Sequence, residues 1–402
     1  MASGAGTVAG ACLRQVDKVG VHPAPGDIAH LRRVEKQTAG VDVGLHVLHL
    51  LLFRIAADLS HGGRMTLMIF PSTRDGLALG LGGAPLGNLY AAMADDQAHA
   101  VLEAALGDGC RSFDTAPHYG NGRSEHRFGR ALREVERANF VLSTKVGRLL
   151  LPDGKAARDQ NGYVDVLPFV QFWDYSAAGV RRSVEDSLQR LGLARLDVVY
   201  VHDCDAASHG ARYPQVLRQV VDEALPEMRR MQREGLVRHV GLGVNDVQVC
   251  VDVLRQADLD CLLLAGRYSL IDHSAWPELL PLCVQRGVRI ALGGAFNSGI
   301  LATGVRNRQP ARFNYAPAPQ AWVDRVAALE VVCGNFGVPL RAAALQFPLA
   351  HPAIEVVMLG VQDTLQWQDA RQMVVHAIPA AFWDALRSQG MLAASMPTPN
   401  PS

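Results

Sequence analysis

Leu196-Asp-Val-Val-Tyr-Val-His202 is a short apolar run that ends in a histidine, and it decides the fold class. Two more runs of this kind end in charged side chains, Cys110-Arg-Ser-Phe-Asp114 and Phe140-Val-Leu-Ser-Thr-Lys145. Runs this short, rich in Val and Phe and followed by helical patterns, predict buried parallel strands, because parallel strands are covered on both faces. Side chains at the carboxyl ends of such strands point into the active site of a parallel barrel. We therefore expect the three terminal side chains to share one rim.

From Leu77 onward, apolar strand-like runs alternate with amphipathic helical runs, which is the pattern of repeated β-α units. The chain has 402 residues, 49% of them hydrophobic, enough for one large α/β domain. Eight strands close a barrel, and the candidates lie at 77–81, 112–114, 141–145, 198–202, 240–244, 262–265, 290–292 and 356–359. Apolar residues at helical spacing occupy 96–106, 124–133, 177–191, 215–234, 247–257, 275–286 and 320–335. The sequence thus predicts a single-domain (β/α)8 TIM barrel over residues 75–390, with a C-terminal tail at 391–402.

Residues 1–74 do not follow this pattern, and we expect an N-terminal extension outside the fold. Its apolar stretch, residues 43–53, is shorter than the roughly twenty residues that span a bilayer, and histidines interrupt it. The stretch also lies too far from the N-terminus for a secretory signal. Met65 and Met68 come just before the first predicted strand, so our hypothesis is that translation starts there.

The charge balance excludes several classes of partner. Lys plus Arg equals Asp plus Glu, 39 each, so no net field draws the chain to nucleic acid or to a membrane surface. A small-molecule substrate, such as a sugar or an aldehyde, is the default expectation. We expect a monomer or a small homo-oligomer.

The seven cysteines are scattered and never spaced as C-x-x-C, which argues against a disulfide framework and against a zinc site. This usage favours a reducing, cytoplasmic location. Cys204 lies two residues after His202, so it could be a nucleophile. Cysteine is also a common small buried residue, and that alternative is the stronger one.

The gap between the third and fourth predicted strands is longer than the others. It covers residues 147–175 and is rich in Gly, Pro, Asp and aromatic residues. Long loops in compact domains are usually functional lids or disordered segments. We expect this one to overhang the active site.

Four concordant motifs carry a family resemblance. Phe113-Asp-Thr-Ala-Pro-His-Tyr-Gly-Asn-Gly-Arg-Ser-Glu125 and Ser143-Thr-Lys-Val-Gly147 come first, followed by Ser187-Leu-Gln-Arg-Leu-Gly-Leu-Ala-Arg-Leu-Asp197 and Val201-His-Asp203. In this order they resemble the aldo-keto reductase superfamily, over roughly residues 77–373. Further stretches, such as Gly293-Gly-Ala-Phe-Asn-Ser-Gly299, resemble its D-threo-aldose 1-dehydrogenase branch, which includes L-fucose, galactose and pyridoxal dehydrogenases. The resemblance implies a TIM barrel that moves hydride between a nicotinamide and a carbonyl or alcohol.

The resemblance assigns a catalytic tetrad to Asp114, Tyr119, Lys145 and His202. A free tyrosine has a pKa near 10 and must be tuned to exchange protons with an alcohol. We expect Lys145 to lower the pKa of Tyr119, Asp114 to hold Lys145, and a neutral His202 to orient the substrate oxygen. Each residue alone has an ordinary structural explanation, but all four at successive barrel rims favour catalysis. The scheme requires no metal.

No G-x-G-x-x-G follows the first strand, so a Rossmann domain is not supported. The resemblance instead places cofactor contacts on the late strands, at Asn245 for the nicotinamide amide and at Gly294, Phe296, Ser298 and Gly299 for the pyrophosphate. Gly360 and Gln366 stand where many NADPH-dependent members carry a Lys and an Arg for the 2′-phosphate. This favours NAD over NADP, unless Arg371 supplies a cation.

The substrate remains the least determined feature. His118 and Trp173 are candidates for shaping the substrate pocket, although packing explains either one as well. Our leading prediction is oxidation of an aldose at C1 to its lactone with NAD. Alternatives on the same site are an aldehyde or ketone reductase and a pyridoxal dehydrogenase, and a further one is a nicotinamide-sensing regulatory subunit with slow chemistry.

Overall fold

The computed structural model describes residues 68–306 and 310–399. The predicted extension up to residue 67, including the proposed start at Met65, lies outside these residues. The described residues from Ile69 onward form one compact unit.

The described chain contains a closed barrel of eight parallel strands, so the predicted TIM barrel is confirmed. In chain order the strands are β1 Leu79–Gly82, β2 Ser112–Asp114, β3 Val141–Val146, β4 Arg148–Pro152, β5 Phe169–Trp173, β6 Leu196–His202, β7 Val237–Val244, β8 Cys261–Ala265, β9 Arg289–Gly293, β10 Arg312–Phe313, β11 Ala316–Pro317 and β12 Ile354–Leu359. Around the barrel they follow the order β1-β12-β9-β8-β7-β6-β3-β2. All eight predicted strands are present, with ends that differ by a few residues.

The parallel register brings the predicted rim residues to the same end of the barrel. Lys145 pairs with Tyr200, and His202 pairs with Gly243. Gly243 lies so close to the barrel interior that a Cβ there would meet Lys145 Cε at 3.3 Å. The missing side chain at that position therefore leaves room for the lysine stem.

Two residues upstream of β1 close the other end of the barrel. Ile69 and Phe70 are buried against Val198, Tyr200 and other interior side chains. Their backbone N–H groups donate to Glu355 Oε2 at 2.9 and 3.0 Å. The packed core therefore includes residues upstream of the predicted boundary between residues 74 and 75.

Helices cover the outside of the barrel, as the alternation predicts. They are Asp95–Gly107, Arg123–Leu132, Ala177–Leu191, Ala206–His209, Tyr213–Gln219, Leu225–Arg233, Val247–Leu254, Leu279–Arg286, Ile300–Thr303, Gln320–Phe336, Leu340–Leu349, Thr364–Val374 and Ala380–Ser388. The predicted helix 215–234 is present as a continuous helical run over residues 213–233, which contains a π-helical turn at Val220–Ala224. Pro226 lacks the backbone N–H that would continue the regular i to i−4 hydrogen bonds of an α-helix. Its position accounts for the π-helical turn just before it.

The sequence carries helix-start signals at Ser124-Glu125 and Ser176 and helix-stop glycines at 192 and 287. These signals are partly confirmed. Ser176 accepts a hydrogen bond from the Gly179 N–H at 3.1 Å and so caps its helix. Gly192 and Gly287 end their helices in the left-handed region, each with a φ of 66°. Ser124 does not cap, because its hydroxyl donates to the Gly83 carbonyl at 2.8 Å instead.

Among the described helices, none alone has the length and apolar composition needed to cross a membrane. One pair bent by 100°, Gln320–Phe336 with Leu340–Leu349, meets that criterion together by length and composition only.

Two hairpins that the sequence did not indicate extend from the barrel rim. Within the predicted lid, β4 and β5 pair antiparallel, with Arg148 opposite Trp173. After β9, a second hairpin pairs β10 with β11. Both hairpins follow barrel strands at their carboxyl ends, the end that carries the rim residues.

Candidate active site

A buried ion pair lies at the carboxyl ends of β2 and β3. Lys145 Nζ donates to Asp114 Oδ2 at 2.7 Å and to the Thr115 carbonyl at 2.9 Å. The other carboxylate oxygen, Asp114 Oδ1, accepts from Ser143 Oγ at 2.7 Å. Burial lowers the pKa of Lys145, and the Asp114 carboxylate opposes that shift. The predicted contact between Asp114 and Lys145 is therefore present, with its hydrogen bonds satisfied.

Tyr119 lies beside this pair in the loop that follows β2. The Lys145 ammonium is 4.6 Å from the centre of the Tyr119 ring. Burial raises the pKa of Tyr119 well above 10, and the charge of Asp114 adds to the effect. The expected lowering of this pKa by Lys145 is not seen, because burial is the larger effect and Lys145 directs its hydrogen bonds to Asp114 and Thr115. Tyr119 is therefore a neutral phenol here.

His202 ends β6 and completes the group. Its ring centre is 6.1 Å from that of Tyr119 and 5.6 Å from that of His118. Burial lowers the pKa of His202 well below 6.5, with further contributions from Arg148 and Lys145. The imidazole is therefore neutral, as the sequence-based scheme requires. The structure brings the four predicted residues together around one space.

Arg148 is a site residue that the sequence analysis missed. Its Nη2 donates to Asp203 Oδ2 at 2.7 Å, and its Cζ lies 4.0 Å from the centre of the Trp173 ring. Asp203 Oδ2 is in turn 3.5 Å from His202 Nε2. Position alone could have identified both residues, because Asp203 directly follows His202 and Arg148 follows β3 closely.

The two predicted substrate residues lie in an aromatic wall beside the tetrad. His118 Nδ1 forms a 2.9 Å hydrogen bond with Gln171 Oε1, and its ring packs edge-on against Tyr163 at 5.1 Å. Tyr163 also stacks on Tyr119, with ring centres 5.9 Å apart. Trp173 packs on Arg148. The wall is formed by the lid segment and the loop after β2.

The predicted pyrophosphate loop, Gly293–Gly299, has a backbone suited to an anion. Gly294, Asn297, Ser298 and Gly299 have positive φ angles of 63°, 45°, 61° and 106°. Right-handed Phe296 next to left-handed Asn297 is a backbone pattern that forms concave, anion-binding turns. These features fit a phosphate-bearing cofactor.

The β10–β11 hairpin contacts this loop. The Tyr315 N–H donates to Ser298 Oγ at 2.9 Å, so the predicted phosphate-binding hydroxyl also holds the hairpin. The Tyr315 phenol forms a hydrogen bond with the side chain of Asn245, the residue predicted to bind the nicotinamide amide. Arg312 packs over the Tyr90 ring at 4.8 Å and thereby joins the hairpin to the loop after β1.

The predicted 2′-phosphate positions carry no cation. Gly360 follows β12, and a Cβ there would lie 3.0 Å from Pro85. Gln366 Oε1 accepts from the Gln362 N–H at 2.9 Å. Arg371 does not reach this region, because it donates to Asp75 Oδ2 at 2.6 Å near the opposite end of β1. The alternative in which Arg371 supplies the missing cation is therefore not supported.

The cysteine alternative is also not supported. Cys204 is fully buried, and burial raises the pKa of its thiol, so it is a poor nucleophile. The six cysteines in the described part of the chain are all free and buried. Across the same residues, no group of three or more His, Cys, Asp or Glu side chains is arranged to hold a metal ion.

The parallel barrel carries Tyr119 beside the buried side chains of Asp114, Lys145 and His202, next to a loop whose backbone suits an anion. This arrangement is typical of a class of barrel oxidoreductases. The model of the Aldo/keto reductase family matches residues 78–389. The chain belongs to this family, which confirms the resemblance predicted from the sequence, and it is an NAD(P)-dependent oxidoreductase.

Two relatives are similar over nearly their whole length. A pyridoxal 4-dehydrogenase from Microbacterium luteolum is 44% identical over 333 residues, which covers 78% of this chain and 94% of the relative. A D-threo-aldose 1-dehydrogenase from Pseudomonas sp is 37% identical over 326 residues, which covers 80% and 95%. An aldo-keto reductase structure from Bacillus halodurans has a TM-score of 0.61 at 23% identity, covering 79% of this chain and 93% of that one, and supports the fold.

Proposed function

We propose that this protein oxidises the hemiacetal carbon of a cyclic substrate to a lactone, with NAD as the acceptor. Two substrate classes form such a hemiacetal carbon: an aldose of the L-fucose, D-arabinose or galactose type, oxidised at C1, and pyridoxal in its cyclic hemiacetal form. The proposal depends on one observation, that four side chains lie next to one another at the barrel rim. Lys145 is paired with Asp114, and both Lys145 and His202 lie beside the Tyr119 ring. The two named relatives act on substrates that both form cyclic hemiacetals.

The four side chains divide the proton chemistry between them. The neutral His202 imidazole hydrogen-bonds the substrate oxygen and orients the hemiacetal carbon. Tyr119 exchanges the hydroxyl proton, while Lys145, held by Asp114, supplies a nearby positive charge. When bound, an oxidised nicotinamide would supply the hydride acceptor, and its positive charge would favour the phenolate form of Tyr119.

The cofactor is proposed to rest on the late-strand loops. Gly294, Phe296, Ser298 and Gly299 would hold the pyrophosphate through backbone N–H groups, and Asn245 would hold the nicotinamide amide. NAD is favoured over NADP because Gly360 and Gln366 carry no positive charge. In addition, the Gln366 N–H is bonded to the Asp363 carboxylate at 2.8 Å, and a carboxylate repels a phosphate dianion.

Reduction of an aldehyde or ketone on the same site is a second candidate, and one observation favours it. Tyr119 keeps its phenolic proton because burial raises its pKa, and the alkoxide that forms when a carbonyl accepts a hydride is basic enough to take that proton. A reductase would use that proton on the substrate oxygen.

The test is nicotinamide reduction by the purified protein with L-fucose, D-arabinose, D-galactose and pyridoxal, each with NAD and then with NADP. The proposal predicts turnover of at least one hemiacetal with NAD, accompanied by the lactone. If none of the four compounds is turned over and the protein reduces simple aldehydes with NADPH, the activity is that of a reductase instead. Cofactor binding without turnover in either direction would favour a nicotinamide-sensing role.

A further inference from the structure

Arg148 has an unused hydrogen-bonding nitrogen inside the site. Its side chain is only 10% exposed. Nη2 is occupied by Asp203, and the guanidinium plane packs on Trp173. Within residues 68–306 and 310–399, Nη1 is buried and has no hydrogen-bond partner.

Burying such a nitrogen costs free energy unless a bound ligand supplies a hydrogen-bond acceptor. A buried donor that loses its water without gaining an acceptor destabilises the folded state, and the cost is larger for a charged group. A guanidinium remains protonated at any ordinary pH, so it cannot escape the cost by losing its charge. The arrangement therefore suits a ligand that carries an acceptor oxygen.

Arg148, whose Nη1 has no partner, lies beside the proposed substrate site rather than beside the cofactor loops. Arg148 stands opposite Trp173 in the lid hairpin. Its partner Asp203 contacts the ring of His202 at 3.5 Å, and the Arg148 charge lowers the pKa of both His118 and His202. Arg148 thus lies next to the imidazole that we propose holds the reacting oxygen.

We propose that Arg148 Nη1 binds an anionic oxygen on the substrate, close to the reacting carbon, and that the substrate is an aromatic hemiacetal bearing a phenolate, of the pyridoxal type. This inference rests on the proposed function and chooses between its two substrate classes. In pyridoxal the phenolate oxygen lies on the ring carbon next to the one that bears the hemiacetal carbon. His202 and Arg148 would then hold two neighbouring oxygens.

Charge and shape both favour the aromatic substrate over a neutral sugar. A hydrogen bond between a guanidinium and an anion is roughly twice as strong as one between neutral groups. The wall of the site consists of His118, Tyr163 and Trp173, and flat aromatic rings pack well against such a wall.

The test compares pyridoxal with 3-deoxypyridoxal, which forms the same hemiacetal ring but lacks the phenolate. In the wild-type protein we expect kcat/KM to favour pyridoxal by about 10- to 100-fold. Arg148→Gln should reduce this ratio to near one, and Arg148→Lys should retain part of it. Because both substrates are measured on the same variant, losses transmitted through Asp203 to His202 cancel in the ratio.

Arg229→Gln is the matched control, since Arg229 pairs with Asp260, which directly precedes β8 at the end of the barrel opposite the rim, and the ratio should stay at the wild-type value. A wild-type ratio near one, a ratio unchanged in Arg148→Gln, or turnover of L-fucose well above that of pyridoxal would each overturn the inference.

If the wild-type protein oxidises no hemiacetal, the proposed function fails, and calorimetry then tests the Arg148 site by itself. Pyridoxine and 3-deoxypyridoxine would be titrated into the protein in the presence of NADH. Tighter binding of pyridoxine that disappears in Arg148→Gln supports the site. Equal binding of the two compounds would overturn it.

Discussion

The ammonium of Lys145 donates a 2.7 Å hydrogen bond to the carboxylate of Asp114, and the two side chains are 1% and 4% exposed. An ion pair this deeply buried has little net effect on stability while both partners are present, but removal of one partner leaves an unpaired charge in the core. Removal of one partner should therefore affect both the stability of the fold and the chemistry that we propose for Tyr119.

Lys145→Met should both destabilise the protein and abolish turnover. Loss of the cation leaves Asp114 buried without its partner, which costs about 3–5 kcal/mol in the free energy of unfolding. The double variant Lys145→Met with Asp114→Asn should recover much of that stability, because no charge remains unpaired, but it should not recover turnover. Urea unfolding and NAD reduction measure the two effects. Wild-type activity in the double variant would contradict the assigned role of the pair.

Tyr119→Phe should retain cofactor binding and lose turnover by about 10²- to 10⁴-fold, the usual contribution of a positioned proton-transfer group. Tyr268→Phe is a suitable control because Tyr268 is also a buried tyrosine, and its hydroxyl has no partner among the described residues. We expect the control to keep wild-type rates. Steady-state kinetics and NAD titration distinguish a catalytic loss from a binding loss, and normal rates in Tyr119→Phe would overturn the mechanism.

Stability should fall as the pH drops below about 6.5, the ordinary histidine pKa. Burial lowers the pKa of His118 to about 3. Between these two values the unfolded chain binds a proton at His118 that the folded protein does not bind, so acid favours unfolding. His118→Asn should weaken this dependence. The test is to measure Tm by calorimetry at pH about 7.5 and about 5 for the wild-type protein and for His118→Asn. An equal fall in Tm in the two proteins would show that His118 is not the source of the pH dependence.

Cofactor preference should respond to a charge at position 366. Gln366→Arg should lower the KM for NADP by about 10-fold, because a new hydrogen bond to a charged group forms with the 2′-phosphate. Gln368→Arg adds the same charge two residues along the helix, on a different face, and should have little effect. Equal responses of the two variants would show that position 366 does not face the 2′-phosphate.

Much of the barrel could be predicted because the buried strands are short apolar runs, and three of them carry a polar side chain at or next to the carboxyl end. The runs that end at Asp114, Lys145 and His202 are the clearest examples, and their parallel register brings these side chains to one rim. The electrostatic state of Tyr119 could not be predicted, because it depends on how deeply the loop after β2 is buried.

Other features depend on long-range contacts that leave little trace in local sequence. Glu125 resembled a helix-start signal, but it is fully buried between Arg190 and Thr144, at 2.6 and 2.8 Å. The two rim hairpins pair across loops, and the Arg148 contact with Asp203 joins residues far apart in the chain. Such partners become visible only once the fold places them side by side.

We propose that hydride passes directly from a hemiacetal carbon to the nicotinamide at the Tyr119 site. The most direct test of this proposal uses L-fucose deuterated at C1 and pyridoxal deuterated at the aldehyde carbon, with NAD and the wild-type protein. We predict that at least one of them gives its lactone and that each lactone formed is matched by one deuterium in the reduced cofactor. Unlabelled reduced cofactor, or no lactone from either compound, would contradict the account.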